Sequence, residues 1–224
     1  MLSTIRLLTG QLPIMTRYSV HDSPDLCKLN NMIENVRRTG LISLIGLIGR
    51  NGSGKSAVCD WFKTQGYAII SLSDEVRRVA RAQNKPETRA VLTEIGTALK
   101  ADHGPDILAH RALAHYKTLG GSVVFDSIRH PDEVRVLTQA GVLFIGVSAP
   151  LAQRYQRIKD RNNARDNVDF ETFKAQDDQE FYGTSGGQHI QACWDQCRYY
   201  IDNQYDSLDS LWAFMKETVP RWIG

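Results

Sequence analysis

No stretch of this sequence approaches an uninterrupted membrane span, and the apolar run Leu41 to Ile48 is far too short to be one. Cysteine is scarce: Cys27, Cys59, Cys193 and Cys197 are the whole complement of a 224-residue chain. That is too few for a disulfide framework at this length, and Cys193-x3-Cys197 has no second pair or histidine cluster to complete a zinc site. The reading is reduced thiols in a reducing compartment, the cytoplasm. Charge of one sign is also lacking, since the net charge is only +2, which gives no basic excess to attract nucleic acid. Internal repeats, low-complexity tracts and a convincing linker are all missing. Acidic residues are absent before Asp22, while Arg6 and Arg17 are present. Residues 1–22 therefore read as a targeting or disordered segment, and an organelle transit function would put the protein in the mitochondrial matrix; Gly10 and Pro13 interrupt any helix there, and Met15 offers an alternative start.

What is present is a chain with 42% hydrophobic and 23% charged residues, the profile of an ordinary globular protein of one sizeable domain, taken as residues 23–224. It is organised around Leu41-Ile-Ser-Leu-Ile-Gly-Leu-Ile-Gly-Arg-Asn-Gly-Ser-Gly-Lys-Ser56. An apolar strand ends in Gly49-x4-Gly54-Lys55-Ser56, and an amphipathic helix follows at once. Phosphates offer only acceptor oxygens and need a ring of N–H donors that side chains would crowd, so Gly49, Gly52 and Gly54 let the backbone, with Asn51 and Ser53, wrap closely. Lys55 adds a mobile positive charge, and the Ser56 hydroxyl is placed to ligate Mg²⁺.

Around that loop the chain alternates strands and helices. Ser23-Pro24-Asp25 opens a packing helix that runs to Gly40. Further strands are predicted at 67–71, 122–126, 142–148 and 199–201. Helices are predicted at 88–102, 105–117, 131–139, 151–162, 169–181 and 207–218, with another entered at Ser71 to Arg78. This is an α/β pattern, a parallel sheet with helices on both faces, and ligands in such sheets bind at the carboxyl ends of the strands.

The polar residues at those ends carry the chemistry. Asp126 closes an apolar strand, where it can hold Mg²⁺ directly or through water, or else cap the helix at 131. Arg129 follows on the same turn and can reach a second phosphate. Ser71, Ser73, Asp74, Arg77 and Arg78 follow the second strand; Ser73 before Asp74-Glu75 also reads as a helix cap. Arg154, Arg157 and Arg161 fall on one helix face, with Arg165 beyond. They form either a solvated basic face or a cationic flap, spanning about 154–185, that closes over transferring phosphates.

These residues resemble the P-loop small-molecule kinases, specifically the nucleoside and deoxynucleoside monophosphate kinases and their relative dephospho-CoA kinase, over about Ser43 to Val219. Ser71, Asp74 and Arg77 match the Ser/Thr-x-x-Asp-x-x-Arg pattern that surrounds the acceptor monophosphate. Asp126-Ser-Ile-Arg129 matches loosely a turn that begins Asp-Gly in that family, lacking its glycine and proline. Ile70-Ser-Leu-Ser-Asp74, Gly104-Pro105-Asp106 and Asp126-Ser-Ile-Arg129 are closer still to nucleotide-kinase-like proteins that are sometimes fused to deaminases, although no deaminase zinc motif is present here. The ending Tyr200-Ile-Asp-Asn203 is similar to that of the same group and of dephospho-CoA kinase, and the resemblance implies that Asn203 lies near the donor adenine. The resemblance implies a P-loop three-layer sandwich with a five-stranded parallel sheet in the order 2-3-1-4-5.

It also implies transfer of the ATP γ-phosphoryl group, with Mg²⁺, to a small nucleotide. Lys55, Asp74, Arg129, Arg157 and Arg161 would be catalytic. Gly49 to Ser56 and Asn203 would bind ATP, while Ser71, Asp74, Arg77 and Arg129 would hold the acceptor. Asp74 separates two versions: it orients a monophosphate, or it is the general base for a ribose hydroxyl, as in dephospho-CoA. Dephospho-CoA kinases usually carry Asp-x-Asp at that point, whereas a single aspartate stands here, which ranks the monophosphate first. A nucleotide-binding regulatory module without turnover is the reading from another class.

Overall fold

The computed structural model describes residues 44–161, 168–183 and 189–223. The helix expected from Ser23, the targeting segment, Arg165 and most of the glycine-bearing loop after Tyr182 lie outside the described residues.

Short runs of branched and aromatic residues, apolar on both sides, can be buried only in a sheet covered on both faces. That sheet has β1 (Leu44–Ile48) at its centre, with β3 (Val123–Asp126) and then β2 (Ala68–Ser71) on one side and β4 (Leu143–Ser148) and then β5 (Tyr199–Asp202) on the other. All four pairings are parallel. The order is β2-β3-β1-β4-β5, as the resemblance implied.

Parallel neighbours require crossovers, and helices supply them. Helix α1 (Lys55–Thr64) follows β1, and α2 (Leu72–Ala82), α3 (Arg89–His103) and α4 (Ile107–Leu119) lie between β2 and β3. Helix α5 (Pro131–Gln139) leads to β4. Then α6 (Leu151–Asp160), α7 (Phe170–Tyr182) and the short α8 (Ile190–Trp194) lead to β5, and α9 (Leu208–Ile223) closes the chain. Among the described residues no helix is long and apolar enough to cross a membrane.

Side chains alternate across each strand and so divide into two cores. Leu44, Ile48, Val123, Phe125 and Phe144 pack under α2 to α5 and α8. Ile45, Leu47, Val124, Ile145, Val147 and Ile201 pack under α1 and α9. Gly46 belongs to the first face for a steric reason: a Cβ there would stand 2.5 Å from the ring of Phe144.

Two elements depart from the sequence expectation. Helix α9 does not stop near 218 but continues through Pro220 to Ile223. An interior proline costs about 3 kcal/mol, but carrying the helix on buries Val219 and Ile223 completely, each worth about 1.5–3 kcal/mol. The balance favours continuing. Helix α8, with only five residues, is too short to leave a readable period, and its buried Ile190 and Cys193 hold it in place. The consequence for function is positional: the loop after β1, Ser71, Asp126, Ser148 and Asn203 all come to the carboxyl edge of one sheet.

Candidate active site

The loop between β1 and α1 is defined by where its carbonyls go. Lys55 Nζ turns back to donate to Gly49 O at 2.6 Å and Arg50 O at 3.2 Å. Arg154 Nη1 donates to Asn51 O at 3.2 Å, Arg157 Nη1 to Gly52 O at 3.5 Å and Asn203 Nδ2 to Ser53 O at 2.9 Å. Gly54 O accepts from Val58 N in the first turn of α1. Every carbonyl from Gly49 to Gly54 thus has a donor. With the oxygens tied back, the amide edge is the part left to a ligand, and α1 begins behind it without any side-chain cap on its first N–H groups. Gly54 stands at φ 96°, and a Cβ on it would lie 2.1 Å from Asn203 Nδ2. Glycine is required there by both conformation and contact.

The donors themselves are held by ions. Arg154 is buried; its Nε donates to Ala149 O and its Nη1 to Asp177 Oδ1 at 2.6 Å. Arg50, on the loop, meets Asp177 Oδ2 and Asp178 Oδ1, each at 2.6 Å, and its guanidinium lies 4.6 Å over the ring of Phe181. Asp177 is therefore a buried carboxylate shared by two arginines, one on the loop and one on α6, and it docks α7 against both. Arg157 also donates to the carbonyls of Asn203 and Tyr205, so it joins the loop to the tail of β5. Burial, with Arg161 adding to it, lowers the Arg157 pKa. Of the arginine row read from the sequence, Arg154 is a buried brace and Arg157 is engaged with backbone. Arg161 is exposed.

The opposite rim is built from small polar groups. Ser71 pairs in register with Asp126 across β2 and β3. Ser71 Oγ lies 2.9 Å from Ser73 Oγ and 3.0 Å from Ser127 Oγ, and Ser127 Oγ donates to Asp126 Oδ2 at 3.3 Å. Helix α2 is capped at Ser71 rather than Ser73, and α5 is capped by His130, not Asp126. Asp126 is thereby freed of the capping role. Its Oδ1 is buried with no hydrogen-bond partner. Together with the exposed Ser56 hydroxyl it makes a sparse oxygen donor set, and no cluster of three or more His, Cys, Asp or Glu suited to a metal forms among the described residues. Such a set fits Mg²⁺, which takes one or two protein oxygens and completes its shell with phosphates and water.

Arg77 Nη1 pairs with Asp74 Oδ1 at 2.6 Å, and its Nε lies 3.6 Å from Glu87 Oε2. Ser127 has φ 63°, a left-handed backbone that costs a non-glycine residue about 1–2 kcal/mol. This is the position where the resembling kinases carry glycine. The serine takes up a backbone shape that suits glycine, at a cost, and the only signal for it in the sequence is a serine where the resembling turn has glycine.

Charge converges on Lys55. Burial lowers its pKa, the Asp126 carboxylate opposes that, and Arg129 and Arg161 add to the lowering. Arg129 is exposed, and its backbone is fixed from below: Arg129 N and His130 N both donate to Glu133 Oε2, at 2.8 and 3.1 Å, while Arg129 O accepts from His189 N. Glu133 is buried, and burial raises its pKa against those two hydrogen bonds. Of the sequence-predicted residues, Gly49 to Ser56, Asn203 and Arg157 gather on one side of the sheet's carboxyl edge, Ser71, Asp74 and Arg77 lie on the other, and Asp126 and Arg129 follow β3 between them, while Arg161 is related to this group only through its charge at Lys55. Sequence reasoning missed Arg50, Asp177, Glu133 and Ser127.

No protein-family profile matches the chain. It is 32% identical over 126 residues to the UPF0200 protein of Methanothrix thermoacetophila, covering 55% of this chain and 69% of that one. It is 31% identical over 143 residues to the UPF0200 protein of Halobacterium salinarum, covering 61% and 74%. Among solved structures, shikimate kinase from Bacteroides thetaiotaomicron superposes with a TM-score of 0.53 at 12% identity, over 78% of this chain and 97% of that one. The last likeness is one of fold, and with the sheet order it makes this a kinase-like P-loop fold rather than a demonstrated nucleoside monophosphate or dephospho-CoA kinase. By sequence, the chain belongs to the UPF0200 family.

Proposed function

We propose that this protein is an ATP-dependent kinase that transfers the γ-phosphoryl group to a small nucleotide, a nucleoside or deoxynucleoside monophosphate. The observation that carries this reading is the loop whose carbonyls, Gly49 to Gly54, are all occupied by the protein's own donors. A loop so arranged offers amides to an anion, and the α1 N-terminus adds its dipole. Phosphoryl transfer asks for little beyond positioning and charge compensation. Lys55 lies at the loop mouth, and releasing Gly49 O and Arg50 O would let its ammonium reach the donor phosphates. Ser56 and Asp126 would hold Mg²⁺, which when bound neutralises charge on the phosphate oxygens. Arg129 and Arg161, both exposed and both felt electrostatically at Lys55, suit the transferring group. Arg157 would act in the same place through the loop it braces.

The acceptor is argued from Asp74. Its carboxylate is committed to Arg77 at 2.6 Å, which suits orienting a guanidinium toward an acceptor phosphate better than removing a proton from a ribose hydroxyl. That supports a monophosphate over dephospho-CoA. A small-molecule acceptor is also in keeping with the shikimate kinase likeness. The test is ADP release from Mg·ATP with a panel of ribo- and deoxyribonucleoside monophosphates and dephospho-CoA. Lys55→Ala serves as the blank, expected to lose about 10²–10³ in kcat. Stimulation by one monophosphate is the expected result. Stimulation by dephospho-CoA alone would make Asp74 a base, and ATP binding with no stimulating acceptor would favour a regulatory module.

A further inference from the structure

Ser127 is one of two non-glycine residues at positive φ among the described residues, the other being Asn84. Asparagine tolerates that region because its side chain can bond locally, and Asn84 ends a surface helix; serine gains less there. An unfavourable backbone kept at a cleft edge calls for a compensating role. The hydroxyl supplies one. Ser127 Oγ donates to Asp126 Oδ2 at 3.3 Å and receives Ser71 Oγ at 3.0 Å, with Ser73 Oγ at 3.5 Å. Arg77 Nη1 reaches Ser73 Oγ at 3.5 Å. The contacts form a chain, Arg77 to Ser73 to Ser71 to Ser127 to Asp126. One end is the residue expected to meet the acceptor, and the other is a carboxylate whose second oxygen is buried and unpartnered.

We propose that Ser127 is a positioning residue: it uses its left-handed backbone to clamp one oxygen of Asp126, aims the other at the cation, and links that carboxylate through Ser71 and Ser73 to the acceptor rim. This rests on reading Asp126 as the cation's carboxylate. A glycine would adopt φ 63° without strain but could not hold Asp126. The serine therefore trades backbone ease for an oriented ligand. Because the hydroxyl chain ends at Arg77, an acceptor that draws Arg77 away from Ser73 would shift the clamp and with it the cation site.

The experiment uses the full chain and reads binding, not turnover. The Mg²⁺ dependence of the affinity for a fluorescent, non-hydrolysable ATP analogue is measured for wild type, Ser127→Gly, Ser127→Asn and Asp126→Asn, with the thermal midpoint of each ligand-free protein. Ser127→Gly should melt no lower than wild type, since it removes strain, yet should need about tenfold more Mg²⁺, the low end for loss of a hydrogen bond that orients a metal ligand. Ser127→Asn keeps a donor in a tolerated backbone and should recover most of that loss. Asp126→Asn should raise the Mg²⁺ requirement further still. If Asp126→Asn is without effect, the reading of Asp126 fails. If Asp126→Asn acts but Ser127→Gly leaves the Mg²⁺ requirement unchanged, the positioning role of Ser127 is overturned while the cation site stands.

Discussion

The two rims of the cleft are held by opposite means. The phosphate-loop rim is braced by buried, charged and long-range contacts: Asp177 between Arg50 and Arg154, Arg157 on three backbone carbonyls, and Asn203 on Ser53. The opposite rim is held by hydroxyls and by the half-exposed Asp74–Arg77 pair, all within or next to α2 and the β3 turn. Buried ion pairs are costly to break, and exposed ones contribute little. The lesson is that rigidity is concentrated on the side that would bind a common donor, and ease of rearrangement on the side that would choose an acceptor.

The contrast can be broken most directly at Asp177. Asp177→Ala leaves the buried Arg154 guanidinium uncompensated and should cost about 3–5 kcal/mol by urea unfolding; a loss below about 1 kcal/mol, the range of exposed pairs, would erase the difference between the rims. Asn203→Ala deprives Ser53 O of its donor and should cost about 1–3 kcal/mol. It should also raise KM for ATP and leave acceptor KM alone, so an equal rise in both would mean the brace serves the whole cleft. Arg77→Ala should change stability by less than about 1 kcal/mol, because the pair is exposed, while raising acceptor KM; a cooperative loss of folding would place Arg77 with the structural residues.

The smallest expected effect is in pH. His130 Nδ1 accepts from Asp132 N, which needs the ring neutral, and burial lowers its pKa below the ordinary 6.5. The unfolded chain therefore binds the proton first as pH falls. Stability from this group is complete above 6.5 and declines as pH drops from there through the lowered folded value. His130→Asn keeps a capping acceptor without the titration, and should flatten that part of the wild-type slope. Identical slopes would remove His130 from the account.

How much of this was legible follows the same division. The strands, their helical crossovers and the glycine loop are written locally, in apolar runs and in spacing within a few residues. The sheet order came from the resemblance and not from periodicity. The placement of Ser71 and Asp126 at the carboxyl edge of the sheet was readable because each closes an apolar strand, and Asp74 follows in the first turn of α2. Asp177 was not, because an acid in a polar helix looks solvated until Arg50 and Arg154 arrive from distant parts of the chain. For the same reason Arg154, read as part of a solvated basic face or of a flap over the phosphates, turns out to be the buried centre of a brace. Ser127 gave a faint signal, a serine where the resembling turn has glycine. The end of α9 was not legible: the helix expected at 207–218 runs on through Pro220 to Ile223, because burial of Val219 and Ile223 outweighs the proline.

The carbonyls of Asn51, Gly52 and Ser53 accept from residues 103, 105 and 150 positions later in the chain. During synthesis the glycine loop therefore leaves the ribosome long before the side chains that shape it exist. A nascent chain that ends before Arg154 carries the whole motif yet lacks the donors for three of its carbonyls, so the loop is fully braced only when α6, β5 and Asn203 dock.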